Sequence, residues 1–261
     1  MEPADWWATS ITRIEPGVIE HRGVPVQDLI GQTSFAEMVW LMVLGERPDP
    51  RRAALLEAAL VASTDHGPQA PSIAISRMAI TCGVGINNAM ASAVNVLGDV
   101  HGGAGEQCLR LLDQLVAADG EGADLEGAAA DLVGSHRADG RHIPGFGHRF
   151  HPVDPRRDPL VGLVEAARGD GVVRGAHLRA GLAIEAALAR GRSRPVPMNI
   201  DGATAIIYGE LGLAPALARG MFVLSRSVGI LAHAWEEAGA GTRLKGPMPP
   251  SILPTYRPSP E

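Results

Sequence analysis

Between Met78 and Gly98 the chain runs for 21 residues without a charged side chain, and this stretch constrains the fold more than any other. A segment so long and uncharged has to be shielded from water, by lipid or by the rest of the protein. Thr81, Asn87, Asn88, Ser92 and Asn95 interrupt it, and amides are costly in hydrocarbon. The reading that remains is a central helix buried on all sides by other helices. Its surroundings are helical too: 39 of 261 residues are alanine, the strongest helix former, while aromatics reach only 4%. The expected fold class is all-α. Met1–Trp7 shows no basic segment leading into an apolar one, so no signal peptide is read there and a cytoplasmic protein is expected.

Local signals divide the rest. Residues 9–27 mix Ile, Val and Thr around Pro16-Gly17 and suggest a short hairpin or an extended cap. Ser34 with Glu37 forms a capping box before Met38-Val39-Trp40-Leu41-Met42, and that helix stops at Gly45. Further helices are expected over 51–63, 71–97, 103–118, 122–137, 158–168, 175–190, 203–212 and 215–238. The joints at 64–71, 98–105, 140–159 and 192–202 are rich in Gly, Pro, Asp and His and hold most of the reactive side chains. Beyond Gly239 six prolines forbid a helix and predict an extended tail over the surface or onto a partner subunit.

Charge and composition exclude several functions. With 23 basic and 29 acidic residues, net charge -6, the surface does not suit nucleic-acid binding. Lys245 is the only lysine, which removes a Walker A loop and leaves a Schiff-base enzyme only a Pro-rich tail. Neither a GxSxG elbow nor a GxGxxG after a strand is present. Cys82 and Cys108 form no CxxC and read as small buried hydrophobes.

The candidate chemistry lies in histidines beside glycines: His66 in Asp-His-Gly-Pro, His101 in Asp-Val-His-Gly-Gly, and His148 in Gly-Phe-Gly-His-Arg. His101 is placed at the start of a helix running through Glu106 to Leu115, where the dipole favours a neutral imidazole that donates to a developing enolate. His142, His148 and His151 raise a metal alternative, but no Cys or carboxylate pattern completes a zinc signature, and no metal is expected. Asp201 reads either as an N-cap or as a carboxylate base able to take a weakly acidic C–H proton. Arg226 sits in an apolar helix with no acid one turn away, so a ligand carboxylate is its expected counter-ion. His233, seven residues on, is expected in the core or behind the site. Arg156 is a second carboxylate clamp or a solvated side chain. Together these groups suggest a small polycarboxylate and C–C bond chemistry.

Gly98-Asp-Val-His-Gly-Gly-Ala, Pro144-Gly-Phe-Gly-His148, Asp154-Pro-Arg156, Asn199-Ile-Asp201 and Ser225-Arg-Ser-Val-Gly with His233 resemble, in this order, the citrate synthase superfamily. The likeness runs from about residue 9 to 245 and includes the entry segment Ile19–Ile30. Asp65-His-Gly-Pro, Asn199-Ile-Asp-Gly and Phe222-Val-Leu-Ser-Arg look most like citryl-CoA lyases, including the lyase module of ATP citrate lyase. The resemblance implies an all-α fold with a large lobe (about 1–140 and 215–261) and a small lobe (about 141–214), and a homodimer or higher oligomer. The implied substrates are coenzyme A thioesters, acetyl-CoA or citryl-CoA, with oxaloacetate, and no tightly bound cofactor, nucleic acid or membrane partner.

By the same likeness Asp201 is the catalytic base, His101 holds the thioester enolate and His148 handles the oxaloacetate carbonyl. His66, Arg149, Arg156 and Arg226 would grip carboxylates. The loop Ile143, Pro144, Gly145, Phe146, Gly147 would meet the coenzyme A adenine. Arg243 or Lys245 would reach a neighbouring subunit. Citryl-CoA cleavage is the expected activity. Citrate or 2-methylcitrate synthesis is the alternative, toward which His101 pulls, and a non-catalytic acyl-CoA-binding subunit is the third.

Overall fold

The computed structural model describes residues 5–120, 122, 124–148 and 151–259. Arg149, one of the expected carboxylate ligands, lies outside them. The described chain opens with three short antiparallel strands, β1 (Thr12–Glu15), β2 (Val18–His21) and β3 (Val24–Pro25), paired in that order. Thr12 stands opposite His21, and the β1–β2 hairpin turns at Gly17. The named elements after β3 are helices: α1 (Val26–Leu29), α2 (Phe35–Leu44), α3 (Pro50–Ala62), α4 (Pro71–Thr81), α5 (Ile86–Val94), α6 (Ala104–Gly120), α7 (Leu125–Ala138), α8 (Arg157–Gly169), α9 (Ala176–Ala189), α10 (Ile200–Glu210) and α11 (Pro215–Gly239), and residues 240–259 carry none.

Local signals fix most of the boundaries. The Ser34 hydroxyl accepts from the Glu37 amide while Glu37 reaches back to the Ser34 amide, closing the expected capping box. Asp49 caps α3 ahead of Pro50 at its first position. The Asn199 side chain accepts from the amides of both Asp201 and Gly202, so Asn199 is the N-cap of α10. Asp201 is therefore released from the capping role that was its alternative reading.

The long uncharged run is not one buried helix. It breaks into α4 and α5 at Cys82–Gly85, where Gly83 takes a left-handed φ of 87° and Gly85 begins the next helix. Nor is it buried on all sides. Ala89 and Ala93 face inward, whereas Asn87, Asn88, Ser92 and Asn95 are exposed. A run without charge still carries a polar face, and that face keeps its water. Cys82, expected to be buried, is an exposed residue at the end of α4; Cys108 is buried as expected.

The core centres on α10, whose residues Gly202 to Gly209 are all buried between α3, α6, α8 and α9. Leu56, Leu109, Leu112, Ile184, Ile206 and Ile207 fill it. Ala70, Ile73, Ala93 and Ile230 form a smaller cluster that locks α4, α5 and α11 together. The joints between these helices open toward one another at the N-terminal end of α10. Among the described residues no helix is long and apolar enough to cross a membrane.

Candidate active site

Three carbonyls at the C-terminal end of α3 organise the basic side of the site. Leu60 O accepts from the Ser225 hydroxyl at 2.5 Å, Ser63 O from Arg226 Nε at 3.2 Å and Ala62 O from Arg156 Nη1 at 3.4 Å. Helix C-termini attract cations, so two arginines distant in sequence converge on one helix end. Arg226 is 5% exposed and lies over the Phe222 ring at 5.0 Å. Burial lowers its pKa, while the charges of Asp65 and Asp201 oppose that. The buried guanidinium is thus not waiting on a ligand alone: backbone and nearby carboxylates already share its charge, which the helix-local pattern did not show.

Arg156 is held more firmly. Its Nε and Nη2 grip both oxygens of Asp154 at 2.9 and 2.8 Å, a fork-on-carboxylate geometry. Asp154 is 1% exposed and also accepts from the Ile200 amide at 3.0 Å, tying this loop to the start of α10. Burial pushes the Asp154 carboxyl up, but the Arg156 hydrogen bonds and charge outweigh it and bring it to about 2. Asp154 is held as the anion and aims Arg156, whose Nη1 is left to face Ala62 O. Sequence reading named the Asp-Pro-Arg motif without assigning Asp154 this part.

The histidines gather around these arginines. His66 and His148 rings meet edge-on at 5.4 Å, and His151 lies 4.5 Å beyond His148. Burial lowers the His66 pKa, and the charges of Arg156 and Arg226 lower it further; burial also lowers that of His148. His142, grouped with His148 and His151 in the metal alternative, instead lines a separate cavity with Phe146. Among the described residues no three donors stand together as a metal set.

His101 stands three residues ahead of α6 rather than at its first turn, in a tight loop where Gly98 and Gly102 bridge. Its Nε2 accepts from the Ser72 amide at 3.2 Å and contacts the Ser72 hydroxyl at 3.0 Å. An amide can only donate, so Nε2 offers a lone pair and the proton of the neutral ring sits on Nδ1. Burial, then the Arg226 charge, hold the His101 pKa below its ordinary value. The result is an uncharged ring with one N–H donor. That is the form expected from sequence, but α4 supplies the constraint, not α6.

Asp201 occupies the first turn of α10, part-buried. Burial raises its pKa, opposed by the charges of Arg226 and Arg156. Directly behind it, α10 meets the loop 145–147 through bare backbone. Gly145 O accepts from the Asn199 amide at 3.0 Å, the Gly147 amide donates to Pro197 O at 2.7 Å, and Asn199 Nδ2 donates to Gly147 O at 2.6 Å. A side chain at Gly202 would place its Cβ 2.4 Å from Gly145 O, so only glycine allows this approach. Ile143 and Phe146 are buried, and they line a cavity of about 260 Å³ with His136, Arg137, Arg141 and Arg192.

A neutral N–H donor, a desolvated carboxylate and two aimed arginines thus lie within electrostatic reach of one another, brought together from four separate segments. Such a set can move a proton and stabilise negative charge beside a bound anion. The model for the citrate synthase C-terminal domain matches residues 41–248, about four-fifths of the chain. The chain belongs to the citrate synthase family. Citryl-CoA lyase from Hydrogenobacter thermophilus is similar at 30% identity and a TM-score of 0.85, covering 98% of this chain and 96% of that one. ATP citrate lyase from Methanothrix soehngenii, solved with citrate and coenzyme A, shares the fold at 21% identity and TM-score 0.81, with 42% of its length covered. Citrate synthase from Acidithiobacillus ferridurans is 28% identical over 222 residues, 82% of this chain and 54% of that protein. The chain spans about half the length of the curated citrate synthases it matches. Within the family fold, the residues singled out by sequence, His66, His101, His148, Arg156, Asp201 and Arg226, converge. Ser72 joins them only in three dimensions, through His101, while Asp154 and Asp65 take parts that their motifs did not assign.

Proposed function

We propose that this chain is a citryl-CoA lyase, cleaving citryl-CoA to acetyl-CoA and oxaloacetate. The observation that carries the reading is the match to the Hydrogenobacter citryl-CoA lyase over nearly the full length of both chains. His66, Arg156 and Arg226 would hold the citryl carboxylates. The hydroxyl proton passes to neutral His148, whose new charge is balanced by Asp154 nearby. The bond between the carbinol carbon and the thioester α-carbon then breaks. Its electrons form the thioester enolate, whose oxygen accepts from His101 Nδ1–H. Protonated Asp201 delivers a proton to the α-carbon, giving acetyl-CoA, and exchange with solvent resets both groups. The raised pKa of Asp201 favours the acid form this direction needs.

The cavity beside Ile143 and Phe146, with three arginines and two histidines, suits the phosphates and adenine of coenzyme A. On the two-lobe reading, Asp154, Arg156 and Asp201 would come from the small lobe, residues 141–214, and His66, His101 and Arg226 from the large one. Citrate synthesis is the second reading, favoured by the neutral donor at His101 and by the curated synthases at 28% identity. Purified protein mixed with citryl-CoA separates the two. Acetyl-CoA with oxaloacetate is the expected product pair. Citrate with free coenzyme A as the dominant pair would replace the lyase by a synthase, and neither pair would remove both.

The same reading includes self-association. Leu224, Val228, Leu231 and Trp235 form one exposed apolar face of α11, with Trp235 73% exposed, and a second copy of this chain would cover it. Lys245 is engaged within its own chain, which leaves exposed Arg243 to reach the neighbour's site. Light scattering should return at least twice the 27.3 kDa chain mass; a mass of one chain at micromolar concentration would discard this part.

A further inference from the structure

A second set of charged side chains lies behind the carboxylate pocket. Glu237 on α11 is 1% exposed, and Lys245, the sole lysine, reaches both of its oxygens at 2.9 and 2.8 Å. Arg77 on α4 donates to Glu237 at 2.8 Å and, through Nη1, to His233 Nδ1 at 3.1 Å. A guanidinium only donates, so His233 Nδ1 accepts and its Nε2 bears the proton facing Asp65 Oδ2 at 3.3 Å. Asp65 in turn accepts from the Gly67 amide at 3.0 Å, closing the turn that presents His66. This turn sits on Gly229, one helical turn from both Arg226 and His233, where a Cβ would fall 2.3 Å from Thr64 O. The outer end of the chain is anchored as well: the Leu244 and Lys245 amides donate to Thr81 O and Thr81 Oγ1 at the end of α4.

We propose that Lys245, Glu237, Arg77, His233 and Asp65 form a positioning relay, through which the segment at 244–245 sets the affinity of the His66–Arg226 pocket for carboxylates. The relay rests on the lyase reading for its substrate, but its own logic is geometric. Each link has a fixed donor and acceptor, and the last one joins His233 Nε2–H and the Gly67 amide on the same Asp65 oxygen, Oδ2. No member touches the reacting carbons. Loss of a link loosens the pocket without removing a proton-transfer group, so substrate affinity falls while the chemical step persists.

The test compares His233→Leu, His233→Gln and Lys245→Met in the full chain, using citryl-CoA turnover and direct calorimetric titration with citrate. His233→Leu is expected to raise KM and the citrate Kd about tenfold, the scale of one hydrogen bond to a charged group, with kcat within about threefold. His233→Gln, whose amide offers both an acceptor and a donor, should recover most of the loss. Lys245→Met, at an exposed position, should shift both constants in the same direction by about threefold and tests the relay even where His233→Leu does not fold. Wild-type KM and Kd in both folded variants would overturn the relay, as would a fall in kcat with KM unchanged. A wild-type protein that neither turns over citryl-CoA nor binds citrate would instead overturn the lyase reading.

Discussion

Asp201→Asn is expected to lower kcat by about 10²–10⁴-fold in either direction of the reaction while the protein keeps its fold. Asparagine matches the carboxylate in shape, and the Asn199 cap contacts only the backbone amide at this position, so the helix start survives. What disappears is the group that moves a proton at the α-carbon. A direct readout is the exchange of acetyl-CoA methyl hydrogens for solvent deuterium, which needs neither citrate nor oxaloacetate. Exchange requires the ionised carboxylate. Since burial raises the Asp201 pKa, exchange should be lost as pH falls through a value above the ordinary carboxylate range, and cleavage, which starts from the acid form, should fade as pH rises through it. Near-normal exchange in Asp201→Asn would remove Asp201 from the mechanism.

The second large effect is expected at Gly202. Its added methyl would lie 2.4 Å from Gly145 O and 2.6 Å from Met198 Cγ. Backbone cannot rotate aside as a side chain can, so α10 and the 145–147 loop have to separate. Overpacking of this kind costs about 1–3 kcal/mol of stability. The functional cost is larger, because a shift of about 1 Å in aligned groups can reduce rate by about 10²-fold. Gly202→Ala should therefore show a lowered Tm together with a fall in kcat/KM of about two orders of magnitude. A variant with wild-type kcat/KM would show that the loop contact does not set the position of Asp201.

These two positions also mark what a one-dimensional reading can reach. Asp201 was legible as an acid ahead of a helix, but the start was expected at 203 with Asp201 as a possible cap, whereas α10 begins at Ile200 under Asn199; the Ser34–Glu37 box was legible in full because its two partners lie three residues apart. The helices were legible from alanine content and Gly-Pro punctuation, save where absence of charge was taken for burial: Asn87, Asn88, Ser92 and Asn95 lie on the solvent side of α5, and Gly83 with Gly85 cuts the run in two. Arg226 was recognised as a buried cation, but its partners, Ser63 O and Asp65, stand some 160 positions away. The relay is invisible for the same reason. Arg77 and Glu237 each look like a solvated charge on a helix until α4 and α11 are laid side by side. The Gly145–Gly202 approach left a trace as two glycines in candidate loops, but nothing in either loop names the other.

The contact between Ser72 and His101 has a thermodynamic side. The first residue of α4 is a proline with no N–H, and Ala70 before it has no side chain to cap with. The Ser72 amide is consequently one of the orphan donors at a helix start, and the ring of His101 supplies its acceptor from outside the helix. His101 is thus an N-cap borrowed from another loop. Placing a proton on Nε2 would uncap α4, so the energy that keeps the helix end intact also keeps the imidazole uncharged. With its folded-state pKa lowered, unfolding takes up a proton at this ring below the ordinary imidazole value. Its contribution is whole above that value and fades as the solution turns acid. Secondary structure and acid–base state are here a single equilibrium, and helix propensity at residues 70–74 becomes a means of tuning a hydrogen-bond donor 29 positions beyond Ser72.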